Sequence, residues 1–281
     1  MNSTNRFKKL LCVAGLSLTA MGAQADLLDD IKDRGEIVIA TEARYEPFEM
    51  LQDGKIVGYG KDILDEILKD LPGVELKQLD LPFQGILAGL NAERYDFVAT
   101  SLMMTQKRLD AYAFTNPIAD ASLAMLKRKG DDSINSPEDM AGKVAGVQAG
   151  SAQLTGVREY EKTVLEPKGE SVKDIKEFTD YNEAYAALAS RRVDFVPQAI
   201  PNLAPIVKKR PDMFELVQPA FGPTAYYGWA GRKDDDSKRL VEFFNQGLLK
   251  LQQSGKLEEL QQKWFGFTME LPEGELPTPA Q

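Results

Sequence analysis

Two rhythms of apolar and polar residues alternate along this chain. Gly35-EIVIATEA is an apolar run that reads as a buried strand. Past the turn signal Asp53-Gly54-Lys55, KDILDEILKDL sets Ile63, Leu64, Ile67, Leu68 and Leu71 on one helical face. VELKQLDL then reads as a strand, FQGILAGLNAE as a helix and YDFVATSL as a third strand. The order β-α-β-α-β is the grammar of a parallel sheet with crossover helices. A short amphipathic stretch, Leu27-Leu28-x-x-Ile31, precedes it.

The same grammar restarts downstream. Gly142-KVAGVQA is a strand, a helix begins near Ser151, KEFTDY leads into the helix NEAYAALASR, and VDFVPQ is another strand. One phrase marks the equivalence: LNAERYDFV at 90–98 and LASRRVDFV at 188–196 share Leu, Arg, Asp, Phe and Val at an offset of 98. Its Leu, Phe and Val read as core, and Asp96 and Asp194 as turn or cap residues. Two such units imply two α/β lobes with a cleft between them. Ligands of open α/β sheets sit beyond the carboxyl ends of the strands, so Ala99-Thr100-Ser101 and Pro197-Gln198-Ala199 are expected at the cleft. The chain closes on a long amphipathic helix, a Ser-Gly break and a short helix ending at Trp264-Phe265, whose aromatics read as core.

Composition narrows the chemistry. Arg6, Lys8 and Lys9 precede the apolar LLCVAGLSLTAMGA, which ends in Ala23-Gln24-Ala25. Residues 1–25 therefore read as a secretory signal peptide with an A-x-A cleavage site, and the apolar run falls short of a membrane span. The chain has no His, and its one cysteine, Cys12, lies inside that segment in a poor lipidation context. A secreted chain without Cys or His lacks disulfides, thiol nucleophiles, imidazole bases and the common zinc and copper ligands, so no metal or other cofactor is expected. Cleavage also removes three positive charges, moving the formal charge from −9 to −12. That balance disfavours nucleic acid as a partner.

Several ordered motifs then carry a resemblance. Gly35-EIVIATEARYEPFE, VGYGKDI, YDFVATSLMMTQKR, AFTNP, GKVAGVQAGS and KWFG follow, in order and spacing, the bacterial extracellular solute-binding proteins of family 3. These are periplasmic receptors of polar amino-acid ABC importers. The resemblance spans residues 33–266. It implies an α/β, two-lobed fold of the periplasmic type II class, each lobe a mixed, mostly parallel sheet flanked by helices. The first lobe would comprise 26–121 and 226–281 and the second 122–225, with a hinge at Ala121-Ser122-Leu123 and Pro223-Thr224-Ala225. The implied partners are a small amino-acid-like ligand and an inner-membrane permease, the location the periplasm of a Gram-negative-type cell, and the receptor a monomer.

The resemblance also points to site residues. Arg108, within Thr105-Gln106-Lys107-Arg108, stands where the family holds a ligand carboxylate, and a guanidinium fork suits that group. Gly150-Ser151-Ala152 opens a helix whose free N–H groups meet the same anion, with Ser151 doubling as the N-cap. Glu42, with Arg44 and Tyr45 after it, occupies a slot that contacts a cationic side chain. Phe83 stands where an aromatic lies against the ligand or in the core. Thr100, Ser101, Gln148 and Gln198 supply polar contacts. Two departures bear on specificity: Met103 replaces a small hydroxyl residue, and Ala199 replaces an Asp that holds an α-ammonium, leaving Gln198 as the nearest polar group. A buried ammonium without an acid is costly, so either Glu42 supplies the charge or the ligand is not a plain α-amino acid. The family resemblance leaves two other readings open: a cyclohexadienyl dehydratase-like enzyme using Glu42 as general acid, and a ligand-sensing module for a signalling partner.

Overall fold

A computed structural model describes residues 26–274 and Leu276. The signal-peptide reading of residues 1–25 lies outside the described residues. The chain begins with α1 (Leu27–Arg34), capped by the Asp26 carboxylate at one end and by Gly35 in the left-handed region at the other. Then follow β1 (Glu36–Thr41), β2 (Arg44–Tyr45), β3 (Glu49–Gln52), β4 (Lys55–Val57), α2 (Tyr59–Leu68), β5 (Glu75–Asp80), α3 (Ile86–Asn91) and β6 (Phe97–Met103). Next are α4 (Gln106–Ala111), β7 (Tyr112–Phe114) and β8 (Ala119–Asp120). A second series runs β9 (Leu123–Arg128), β10 (Val144–Gln148), α5 (Ala152–Tyr160), β11 (Asp174–Phe178), α6 (Tyr181–Ala189), β12 (Phe195–Ala199), α7 (Ile200–Lys209) and β13 (Phe214–Phe221). The chain then returns through β14 (Tyr226–Arg232), α8 (Lys238–Gln253) and α9 (Lys256–Trp264).

Two sheets organise these elements into two lobes. The first has the order β5-β1-β6-β14-β7, with β8 also on β14; the second has the order β11-β10-β12-β9-β13. In each, three parallel strands meet an antiparallel fourth: β5, β1 and β6 against β14, and β11, β10 and β12 against β9. The chain leaves the first sheet between β8 and β9 and re-enters it between β13 and β14. A small antiparallel sheet, β2-β3-β4, lies between β1 and α2 in the chain and turns at Asp53-Gly54.

The repeated phrase does the same work in both lobes. Asp96 accepts from the backbone N–H of Val38 at 2.7 Å and pairs with Arg34; Asp194 accepts from that of Val144 at 2.9 Å and pairs with Arg128. Each aspartate thus ties the start of its strand to the neighbouring parallel strand and to a cation. This corrects the turn-or-cap expectation, and the residues are structural all the same. Glu93 and Arg191, also 98 apart, both take a positive φ, of 54° and 63°, so even the strained turn before the strand is repeated. The core of the first lobe is aromatic-rich: Phe97 stacks on Phe244 at 4.3 Å, and Phe48, Tyr59 and Phe265 pack edge-on or tilted. Phe265 is buried, whereas Trp264 is half-buried with its indole N–H on Asp62.

Candidate functional site

The strand ends of both lobes converge on one narrow cavity. Glu42 follows β1, Thr100, Ser101 and Met103 lie on β6, Gln148 ends β10, and Ser151 caps α5 by accepting from the Leu154 N–H. Glu42, Tyr45, Phe83, Thr100, Ser101, Met103, Arg108, Gln148 and Ser151 all line it. Ala152 and Gln198 do not. Ala152 faces a larger, mostly apolar cavity that shares Met103 with the first and is bounded by Leu123, Tyr160, Phe221 and Ala225. Gln198 is fully buried behind Tyr45 and Tyr227.

Arg108 is the cation of the cavity. Thr105 caps α4 and accepts from the Arg108 N–H, fixing where the side chain departs. Its guanidinium donates to the Met103 carbonyl at 3.0 Å and to the Gly150 carbonyl, in the opposite lobe, at 3.5 Å, and lies 5.5 Å from the Phe83 ring. Desolvation pushes its pKa down. Among the described residues no carboxylate pairs with it. Two carbonyls leave most of its five N–H donors for an incoming group.

Glu42 sits opposite in charge. It is buried, its Oε1 accepts from Gln148 across the lobes at 2.6 Å, and burial raises its pKa from 4.5 to about 7. The turn that carries it is anchored by Asp80, which takes a bidentate pair from Arg44 at 3.1 Å and the Ala43 N–H at 3.0 Å. Arg44 is thereby spent on scaffold. A second acid escaped the sequence reading: Glu49, fully buried on β3, accepts from the Ser101 hydroxyl at 3.1 Å, and burial holds its carboxyl well above the usual range. Gly60 makes room for it, since a Cβ there would fall 2.2 Å from the Glu49 Oε1.

Gln153 and Tyr227 also line the cavity without having been foreseen. They join Tyr45 and Gln198 in a buried polar cluster that bridges the lobes. Tyr45 OH and Tyr227 OH are 2.7 Å apart, and Gln153 Nε2 donates to Gln198 Oε1 at 2.6 Å. Gln153 occupies a helical position that reads as ordinary surface, and Tyr227 lies on the returning strand β14, so no local signal marks either. More direct bonds close the cleft: Gln84 to the carbonyls of Ala149 and Thr179, Asn202 to the Glu46 carbonyl, and Lys209 to Glu46.

Facing strand ends, a closed cleft and an unpaired guanidinium are the geometry of a solute trap. The sequence model of the bacterial extracellular solute-binding proteins, family 3, matches residues 37–267. The chain belongs to this family. The L-cystine-binding protein TcyJ of Escherichia coli K12 is 29% identical to this family 3 protein over 90% of its chain and 91% of the relative's. An ancestral arginine-binding protein, solved bound to arginine, is 32% identical with a TM-score of 0.72, covering 83% of this chain and 99% of that one. An ancestral amino acid-binding protein described as a precursor of cyclohexadienyl dehydratase is 26% identical with a TM-score of 0.74, over 85% and 99% of the two chains. The two-lobed fold expected of the sequence is thus the fold of its relatives.

Proposed function

We propose that this family 3 protein is the periplasmic receptor of an ABC importer. It captures an amino acid or amino-acid derivative by its carboxylate and presents the closed form to an inner-membrane permease. The observation that carries the reading is Arg108: a desolvated guanidinium at the meeting of both lobes, with no carboxylate partner among the described residues and the α5 N-terminus beside it. A ligand carboxylate would take its free donors and the first N–H groups of α5 together, at about 1.5–3 kcal/mol per charge-assisted bond. Glu42 faces the other end of the ligand and suits a cation.

On this reading residues 1–25 are a cleaved export signal. The chain between β8 and β9 and between β13 and β14 acts as the hinge of lobes 26–121 with 226–281, and 122–225. Closure between such lobes around a ligand is a recurrent mode of capture. The receptor acts as a monomer. A thermal-shift screen over amino acids and their derivatives tests the function. A ligand at 100 times its Kd should stabilise the protein by about 2.7 kcal/mol, and a screen without any hit would contradict it.

A dehydratase reading has one observation in its favour, the Glu42 carboxyl poised near pH 7. Incubation with prephenate or arogenate separates the two; we expect no turnover, and measurable dehydration would replace the receptor by an enzyme.

A further inference from the structure

We infer that the apolar cavity behind Met103 receives the body of the solute, so that the ligand is a carboxylate whose substituent is large and apolar, an alkyl chain or an aryl ring. The inference rests on the carboxylate-receptor reading and names its substrate class.

Volume is the first observation. The narrow cavity at Arg108 measures ≈ 10 Å³, room for about one water, so with the lobes closed it takes an end group of the ligand and not its body. The second cavity measures ≈ 400 Å³, within the range of small-molecule sites. The two meet at Met103, which lines both. The Arg108 guanidinium donates to the Met103 carbonyl at 3.0 Å, and the consecutive residues Ser151 and Ala152 face one cavity each. A group seated on Arg108 therefore has the larger void as its neighbour, behind one unbranched and flexible side chain.

The shape of that void follows α5. Ala152, Thr155, Gly156, Glu159 and Tyr160 recur at helical spacing and so share one face, which forms a wall of the cavity. The face starts with small side chains beside Ser151. At 1.5 Å per residue it runs about 12 Å to Tyr160, whose ring packs edge-on against Phe221 at 5.4 Å. Leu123 and Pro223, from the two segments that cross between the lobes, also line it, so closure wraps the lobes around whatever the cavity holds. Glu159 is the one charged residue of the lining, and it is exposed. The buried part thus offers a polar tail no ionic partner, whereas each methylene moved there from water gains about fourfold in affinity.

Calorimetric titration tests this with an apolar series that keeps one head group, L-norvaline, L-norleucine, L-2-aminooctanoate and L-phenylalanine, beside L-arginine and L-cystine. Affinity should rise along the alkyl series, by at least about tenfold from L-norvaline to L-2-aminooctanoate. Thr155→Trp, which fills the cavity from an exposed position on its wall, should bring that ratio back towards one. If the variant does not fold, Thr224→Trp fills the cavity from the opposite, also exposed, side. A flat or falling series overturns the inference, as does a ratio that survives the filling substitution, because the tail then lies elsewhere. L-arginine or L-cystine binding while no apolar member does overturns it too and leaves the receptor reading standing. Silence from all six probes overturns the amino-acid reading underneath.

Discussion

Arg108 and Glu42 set the polarity of the cavity, and each makes a distinct prediction. Glu42 titrates near 7 in the folded chain because it is buried, against 4.5 for an unperturbed carboxyl. Between those values the folded state holds more protons than the unfolded one. Its contribution to stability is therefore fully present below about 4.5 and is lost as the pH rises through about 7. Glu42→Gln should remove that part of the pH dependence, measured by melting across the same window. A cationic ligand end reverses the preference by favouring the carboxylate. Binding of an arginine-like solute should then release a proton, and its affinity should weaken as the pH falls below about 7. At Gly60, substitution by Ala drives a Cβ into the Glu49 carboxylate; a loss of about 1–3 kcal/mol in denaturant unfolding is expected for such overpacking. Arg108, Ser151, Glu42 and Gln148 were legible because they stand in motifs next to strand ends. Glu49, Gln153 and Tyr227 were not, because burial of a Glu on a short hairpin and of a Gln on a helix is decided by the opposing lobe.

Among the elements, the parallel strands and crossover helices of both lobes were written in the apolar rhythm, since each must bury a face or a stripe. The antiparallel strands β7, β8, β9, β13 and β14 were not, nor the three-stranded β2-β3-β4 sheet: their pairing partners are remote in sequence, and short strands carry little periodicity. The helix α7, with Pro201 and Pro205 inside its span, also lacks the usual sequence pattern. The duplicated phrase makes the element-scale prediction. Removing the carboxylate by Asp96→Ala or Asp194→Ala strands the N–H of Val38 or Val144 and a nearby arginine. Each should cost about 1–3 kcal/mol in equilibrium unfolding, with ligand affinity in the surviving folded protein little changed. Conversely, Glu93→Gly and Arg191→Gly relieve left-handed backbone that costs a side-chain-bearing residue about 1–2 kcal/mol, and both variants should melt no lower than wild type.

At the scale of the molecule, the cavity exists only because two lobes meet. Glu42, Tyr45 and Arg108 come from one side and Gln148, Gln153 and Gly150 from the other, so the cavity and the closed arrangement form together. Rim contacts such as Lys209–Glu46 are exposed and contribute little; the buried cluster of Tyr45, Gln153, Gln198 and Tyr227 holds the lobes in register. Disrupting that cluster with Gln153→Ala should loosen closure, seen as a larger radius of gyration by small-angle scattering at saturating ligand, whereas Lys209→Ala should leave it unchanged. The central claim, that the closed cleft holds a solute by its carboxylate on Arg108, is met most directly by titrating one carboxylate-bearing hit into wild type and Arg108→Ala in the calorimeter. The account predicts an affinity loss of at least about tenfold, the loss of one charge-assisted bond, with the variant still folded. Equal affinity in the two proteins would contradict it.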